Sequence, residues 1–144
     1  MLLSSILRRA ALSMGIVVVS SLTAHAQSDT FEGPTSPRGI AFETLGSIDL
    51  AGEFPDVEEM ADRDLRVRYW TIQPGGIVPV HSHDNRPAIL YVLSGEILEH
   101  RSDDDQPHVH SAGDVSLEGA GVQHWWENTS DQVVELLAVD IVQN

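Results

Sequence analysis

From Leu65 onward the chain alternates. In LRVRYWTIQ (65–73), Leu65, Val67, Tyr69 and Thr71 fall on one face and Arg66, Arg68, Trp70 and Ile72 on the other. A period of two is the signature of a strand. PGG at 74–76 reads as the turn that ends it. The same pattern recurs over 77–83, over 88–101 with a bend at Ser94-Gly95, over 107–118 with a bend at Ala112-Gly113, and over 122–142 with a turn at NTSD. SDDDQP (102–107) is a charged hairpin loop. Upstream, IAFETL (40–45) is a candidate first strand, and the acidic stretch GEFPDVEEMADRD (52–64) a loop or a single helical turn. No helical period runs longer than a turn or two. Many short strands punctuated by Gly and Pro predict an all-β sandwich or barrel.

The first residues do not belong to that pattern. Arg8 and Arg9 precede an uncharged apolar stretch from Ala10 to Leu22, and Ala24-His25-Ala26 is a small-x-small cleavage site. This is the layout of a secretory signal peptide over 1–26, and the apolar run is short for a bilayer span. The Arg pair also loosely resembles a twin-arginine signal, so both export routes stay open. The expected product is periplasmic or secreted, with no membrane association once the signal is removed. Residues 27–39 are polar, with Gly33, Pro34 and Pro37, and read as a flexible leader. Residues 40–144 then form one domain.

Export brings no disulfides here, because the chain has no cysteine. Thiolate metal ligands and cysteine nucleophiles are excluded with them. All eight basic residues are arginines, and two, Arg8 and Arg9, lie in the signal peptide, leaving six against 22 acidic residues. A surface that acidic repels a phosphate backbone, so nucleic acid is not an expected partner.

The chemistry concentrates on histidine. His81 and His83 sit two apart within VPVHSHDNRP. On a strand such residues share a face and lie roughly 6.5 Å apart along it. Both can therefore meet one ion at about 2.0–2.1 Å, as zinc requires. A second pair, His108 and His110, flanks the charged hairpin, so the spacing alone decides little.

The surrounding residues decide more. GGIVPVHSHDNRPAILYVLSG resembles the first motif of the cupin superfamily, with Gly75, His81-x-His83 and the closing Gly95 in register. GDVSLEGAGVQHWWEN resembles the second, through Gly113, Gly121, His124 and Asn128, with Gly119 where a proline is usual. The likeness covers 65–142 well and 40–64 loosely. It implies a small jelly-roll barrel (a double-stranded β-helix), a homodimer, and a metal held by His81, His83 and His124. One departure stands out: the family's glutamate ligand falls at position 88, which is Ala88 here.

Three imidazoles suit iron, zinc, nickel or copper better than calcium or magnesium. Without the glutamate, such a site is more positive and favours a small anionic or chelating substrate. His108, His110 or water are open candidates for the vacated position. Asp84 would point the other way. Glu118, six residues before His124, is read as a carboxylate that orients a metal-binding histidine without itself touching the ion, or else as an exposed strand-end acid. Trp126 shares the face of His124 and can wall a pocket, and Arg86, just after the histidine pair, can steer an anion. Trp125 would face out of the barrel. Three classes of function stay open: a metal-dependent enzyme, a dioxygenase first and a lyase or isomerase second; a non-catalytic cupin that binds a small molecule or metal; and a barrel whose histidines are packed core residues.

Overall fold

The computed structural model describes residues 31–144, and the signal-peptide reading of 1–26 lies outside them. Eight antiparallel strands follow in order: β1 (Arg38–Asp49), β2 (Arg63–Ser82), β3 (Ala88–Ser94), β4 (Glu96–Arg101), β5 (Asp104–Ser111), β6 (Val115–Glu118), β7 (Gln123–Glu127) and β8 (Val134–Gln143). Between β1 and β2 come one helical turn, Leu50–Glu53, capped by Asp49, whose Oδ1 accepts from the Ala51 N–H at 2.9 Å, and a 3-10 turn, Glu58–Met60. Hydrogen bonding runs in the order β5-β4-β7-β2-β8-β3-β6, with β1 paired to β2. The result is the nearly closed antiparallel barrel of a double-stranded β-helix. Among the described residues no helix is long and apolar enough to cross a membrane.

The long strand β2 holds the barrel together. Its first half, through Ile72, pairs with β8, and its second half, from Ile77, pairs with β7. PGG is therefore the bend where one strand changes partner rather than a turn that ends it. Gly75 takes a φ of 72°, where a side chain would be strained. Its N–H donates to the Asn128 carbonyl at 2.8 Å, which ties the bend to the end of β7. The Asn128 side chain is fully buried and donates to the Ile72 and Gln132 carbonyls, closing the NTSD turn. The hairpin after β4 is tighter than SDDDQP suggested. Arg101 pairs directly with Asp104, and the Arg101 guanidinium clamps Asp103, so only Ser102 and Asp103 turn the chain.

The interior has two ends of different character. Ile72, Val92, Ile97, Trp126, Val134, Leu136 and Ala138 form a contiguous apolar core. Each Val, Leu or Ile side chain among them contributes about 1.5–3 kcal/mol by leaving water. At the other end the inward positions are polar: Arg68, His83, Glu99, Glu118, His124 and Asp140 are all buried. On β2 it is the arginine-bearing face that turns inward, while Leu65 is exposed. Arg66 lies opposite Asp140 in the β2–β8 register, and this acid also compensates the buried Arg68. Outside, Ile89, Tyr91, Leu93, Val115 and Leu117 leave an exposed apolar face on β3 and β6.

Candidate metal centre

His81 lies on the second half of β2, and His83 follows just past its end. His124 is the cross-strand partner of His81 on β7. The i, i+2 geometry turns the first two inward, and the register brings the third alongside. Ring centroids are 4.5–5.1 Å apart, and one ligand nitrogen from each ring falls within 4.8 Å of the others.

Each ring is fixed from behind. Nδ1 of His81 donates to the Pro79 carbonyl at 2.8 Å, Nδ1 of His83 to the Arg86 carbonyl at 2.7 Å, and Nδ1 of His124 to Glu99 Oε1 at 2.6 Å. Those bonds set the tautomer and leave Nε2 as a lone pair in every case. Burial pushes the His81 and His83 pKa values down to about 4, so both are neutral near neutrality. Nε2 of His83 and of His124 are buried without a hydrogen-bond partner. Imidazole lone pairs this close, with no donor among the three rings to pair them, fit a cation, and nitrogen donors fit a transition ion.

Two buried carboxylates flank the rings and behave oppositely. Glu99 on β4 accepts from His124, from His110 Nε2 at 2.9 Å and from Arg101 at 3.1 Å. Burial works against its charge, but these donors hold it down at about 2. Glu118 on β6 has no such donors. Burial, reinforced by the charge of Glu99, pushes it up to about 8. A cation at the histidines would act in the opposite direction. Glu118 Oε2 lies 3.0 Å from His83 Nε2, and Oε1 lies 3.8 Å from His124 Nε2.

Beside the histidines a cavity of about 290 Å³ opens, walled by Ile40, Trp70, Val78, Leu90, Trp126 and Leu136. Arg68 and Arg86 also line it. Both reach Asp140 Oδ2, at 2.9 and 3.3 Å, and Arg66 reaches the same carboxylate. Three guanidinium groups thus share one acid. Burial lowers the Arg68 pKa, and its Nε is buried without a partner, as is the indole N–H of Trp70. The Arg68 guanidinium lies 4.8 Å from the Trp70 ring centre and 5.3 Å from that of Phe42, which stabilises a cation poorly reached by water.

Among the described residues, the other histidines lie outside the three-His group. His108 is exposed on β5 and bonded to Asp104, and His110 is turned to Glu99. Asp84 is exposed, accepting from the Gly121 N–H and the Ser82 hydroxyl. His100 stacks flat on Trp125 at 3.8 Å, and the chain at Gly33 packs against the same indole. Trp126 is buried in the cavity wall. Glu99, Arg68 and Asp140 were not singled out from the sequence. For Glu99 and Asp140 the available signal was a charge in line with apolar residues two apart, in Ile97–Glu99 and in Leu136–Ala138–Asp140; for Arg68 the alternation of β2 offered none.

The family profile described as Cupin domain matches residues 68–140. The oxalate-binding protein of Thermotoga maritima is 38% identical over 71 residues, which span 49% of this chain and 57% of that protein. The match therefore covers little more than half the relative's length. Among solved structures, the polyketide cyclase RemF of Streptomyces resistomycificus aligns with a TM-score of 0.58 at 21% identity, over 75% of this chain and 68% of that one. A double-stranded β-helix protein of Klebsiella pneumoniae aligns with a TM-score of 0.55 at 18% identity, over 78% and 83%. At those identities the two structures speak to the fold alone.

Proposed function

Because the chain belongs to the cupin family, we propose that it binds one divalent transition metal through His81, His83 and His124 and acts on a small anionic substrate with an apolar body. The reading is carried by one observation: oriented imidazole lone pairs converge beside an apolar cavity that holds two arginines. Iron is the first candidate, ahead of zinc, nickel and copper, and a dioxygenase-like reaction the first activity. A bound ion would supply Lewis-acid chemistry and, if it is iron, oxygen binding.

The chain's own residues supply the rest. The Pro79 and Arg86 carbonyls and Glu99 hold the imidazoles in one orientation. Arg68 and Arg86 favour an anionic group, because with Arg66 they outnumber the single carboxylate of Asp140 that they share. Trp70, Leu90 and Trp126 bury the substrate body and exclude water. The relative's name makes oxalate the first anion to test. Oxalate has no hydrocarbon to match these walls, so carboxylates with an aliphatic or aromatic body are expected to bind more tightly. Calorimetry on iron-loaded protein, with oxalate beside larger keto and hydroxy acids, reads the order. Oxygen uptake under the same conditions separates an enzyme from a binding protein. No anion bound by the loaded protein would contradict the substrate class, and binding without turnover would favour the non-catalytic reading.

We also take the apolar face of β3 and β6 as the contact of a homodimer, since contiguous exposed apolar area of this kind marks association surfaces. Light scattering is expected to give twice the chain mass, and Leu117→Asp to return the monomer. A monomeric wild-type protein at high concentration would rule this out.

A further inference from the structure

We propose that Glu118 is a metal ligand of this centre, supplied from β6 in place of the acid that position 88 lacks. The inference rests on the metal reading above and extends it to a fourth donor.

The register makes the exchange possible. Ala88 is paired on one side with Glu118 of β6 and on the other with Asp140 of β8, so the three form one row across the sheet. Ala88 is buried, and its methyl group fills little of the row. A longer side chain at 88 would occupy the space through which Glu118 reaches the imidazoles. The small residue and the displaced acid therefore belong together. The acid lies one strand sideways, and its carboxylate arrives at two of the three histidines, His83 and His124.

Glu118 approaches on the ligand side of the rings. Its oxygens face Nε2 of His83 and of His124, at 3.0 and 3.8 Å. Orientation is already provided elsewhere, by the Arg86 carbonyl for His83 and by Glu99 for His124. Nor does the contact satisfy the groups that make it. Nε2 of His83, Nε2 of His124 and Oε1 of Glu118 are all buried without hydrogen bonds. An imidazole lone pair facing a carboxylate lone pair is unfavourable unless something positive lies between them. One shared proton would satisfy a single pair and leave the other atoms unmatched, whereas one cation satisfies them all. Nitrogen and oxygen donors together suit an octahedral ion such as iron or manganese.

The test is Co²⁺ binding to the full folded protein, read by calorimetry and by the visible spectrum of the bound ion. Glu118→Gln keeps the shape and removes the charge. It is expected to weaken Co²⁺ binding by about tenfold or more and to change the spectrum. The double variant Ala88→Glu/Glu118→Ala returns the acid to the neighbouring strand and is expected to recover both affinity and spectrum. That recovery is foreign to a merely structural role for Glu118, since the new acid sits on another strand. Far-UV circular dichroism of each metal-free variant confirms that it is folded. Wild-type protein that takes up no Co²⁺ overturns the metal reading and this inference together. Wild-type protein that binds Co²⁺, with Glu118→Gln equal to it in affinity and spectrum, overturns this inference alone. A double variant that stays as weak as Glu118→Ala also counts against it.

Discussion

Replacing Asp140 by alanine is expected to destabilise the fold by about 3–5 kcal/mol, the usual cost of leaving a buried charge without its partner. Asp140 is 1% exposed and accepts from Arg66 at 3.1 and 2.9 Å, from Arg68 at 2.9 Å and from Arg86 at 3.3 Å. Arg66 and Arg86 are partly exposed and can turn to water. Arg68 is buried and cannot, so most of the cost falls on it. Asp140→Asn keeps acceptors but no charge and should lie between. Urea unfolding followed by the tryptophan signal reads the loss, and a change below about 1 kcal/mol, the scale of an exposed pair, would refute this account of the barrel's polar end.

The same cluster sets an acid limit. Burial alone would raise the Asp140 carboxyl, but the three guanidinium groups hold it below the ordinary aspartate value. A depressed folded-state pKa stabilises the fold fully above the unfolded value, about 3.9. That stability is lost as pH falls through the folded value. The stability of Asp140→Ala should therefore fall less than that of wild type on acidification below about pH 4.

The second large effect is at the histidines. His124→Ala is expected to weaken binding of a divalent transition metal by more than about a hundredfold, beyond the 10–100-fold typical of groups that only orient a ligand. His124 is the ring that both joins the three-His group and is gripped by a carboxylate. Glu99→Gln should fall within that smaller range, since it leaves His124 in place and weakens its partner. His108→Ala should change nothing, because that ring is exposed and bonded to Asp104. Titration with Co²⁺ or Zn²⁺ gives the order. If His124→Ala binds as tightly as His108→Ala, the metal lies elsewhere.

How far the sequence carries can be judged from particular residues. The barrel was legible because period two persists from Leu65 to Val142, and the glycines mark where it breaks. The direction of β2 was not. Apolar Leu65 and Val67 would ordinarily be the inward set, yet Arg66 and Arg68 turn inward, where β8 brings Asp140 opposite Arg66 and within hydrogen-bond reach of Arg68. Partner choice across strands is a long-range property that no local window contains. The histidine group was readable because His81 and His83 lie two apart and His124 falls in a second motif. Glu99 was hidden for the opposite reason: it meets His124 only through the β4–β7 pairing. Position 88 was noticed as a missing acid, while the juxtaposition of Ala88 and Glu118 depends on the β3–β6 register, which the sequence does not display.

The most direct measurement is the metal content of the wild-type protein, purified without chelator and analysed by mass spectrometry beside His81→Ala and His124→Ala. The account predicts close to one divalent transition ion per chain in the wild type, removable by chelator and restored on adding metal, and essentially none in either variant. A metal-free wild type that also fails to take up iron, cobalt or zinc when these are supplied would contradict it, as would a His81 variant that keeps its full complement.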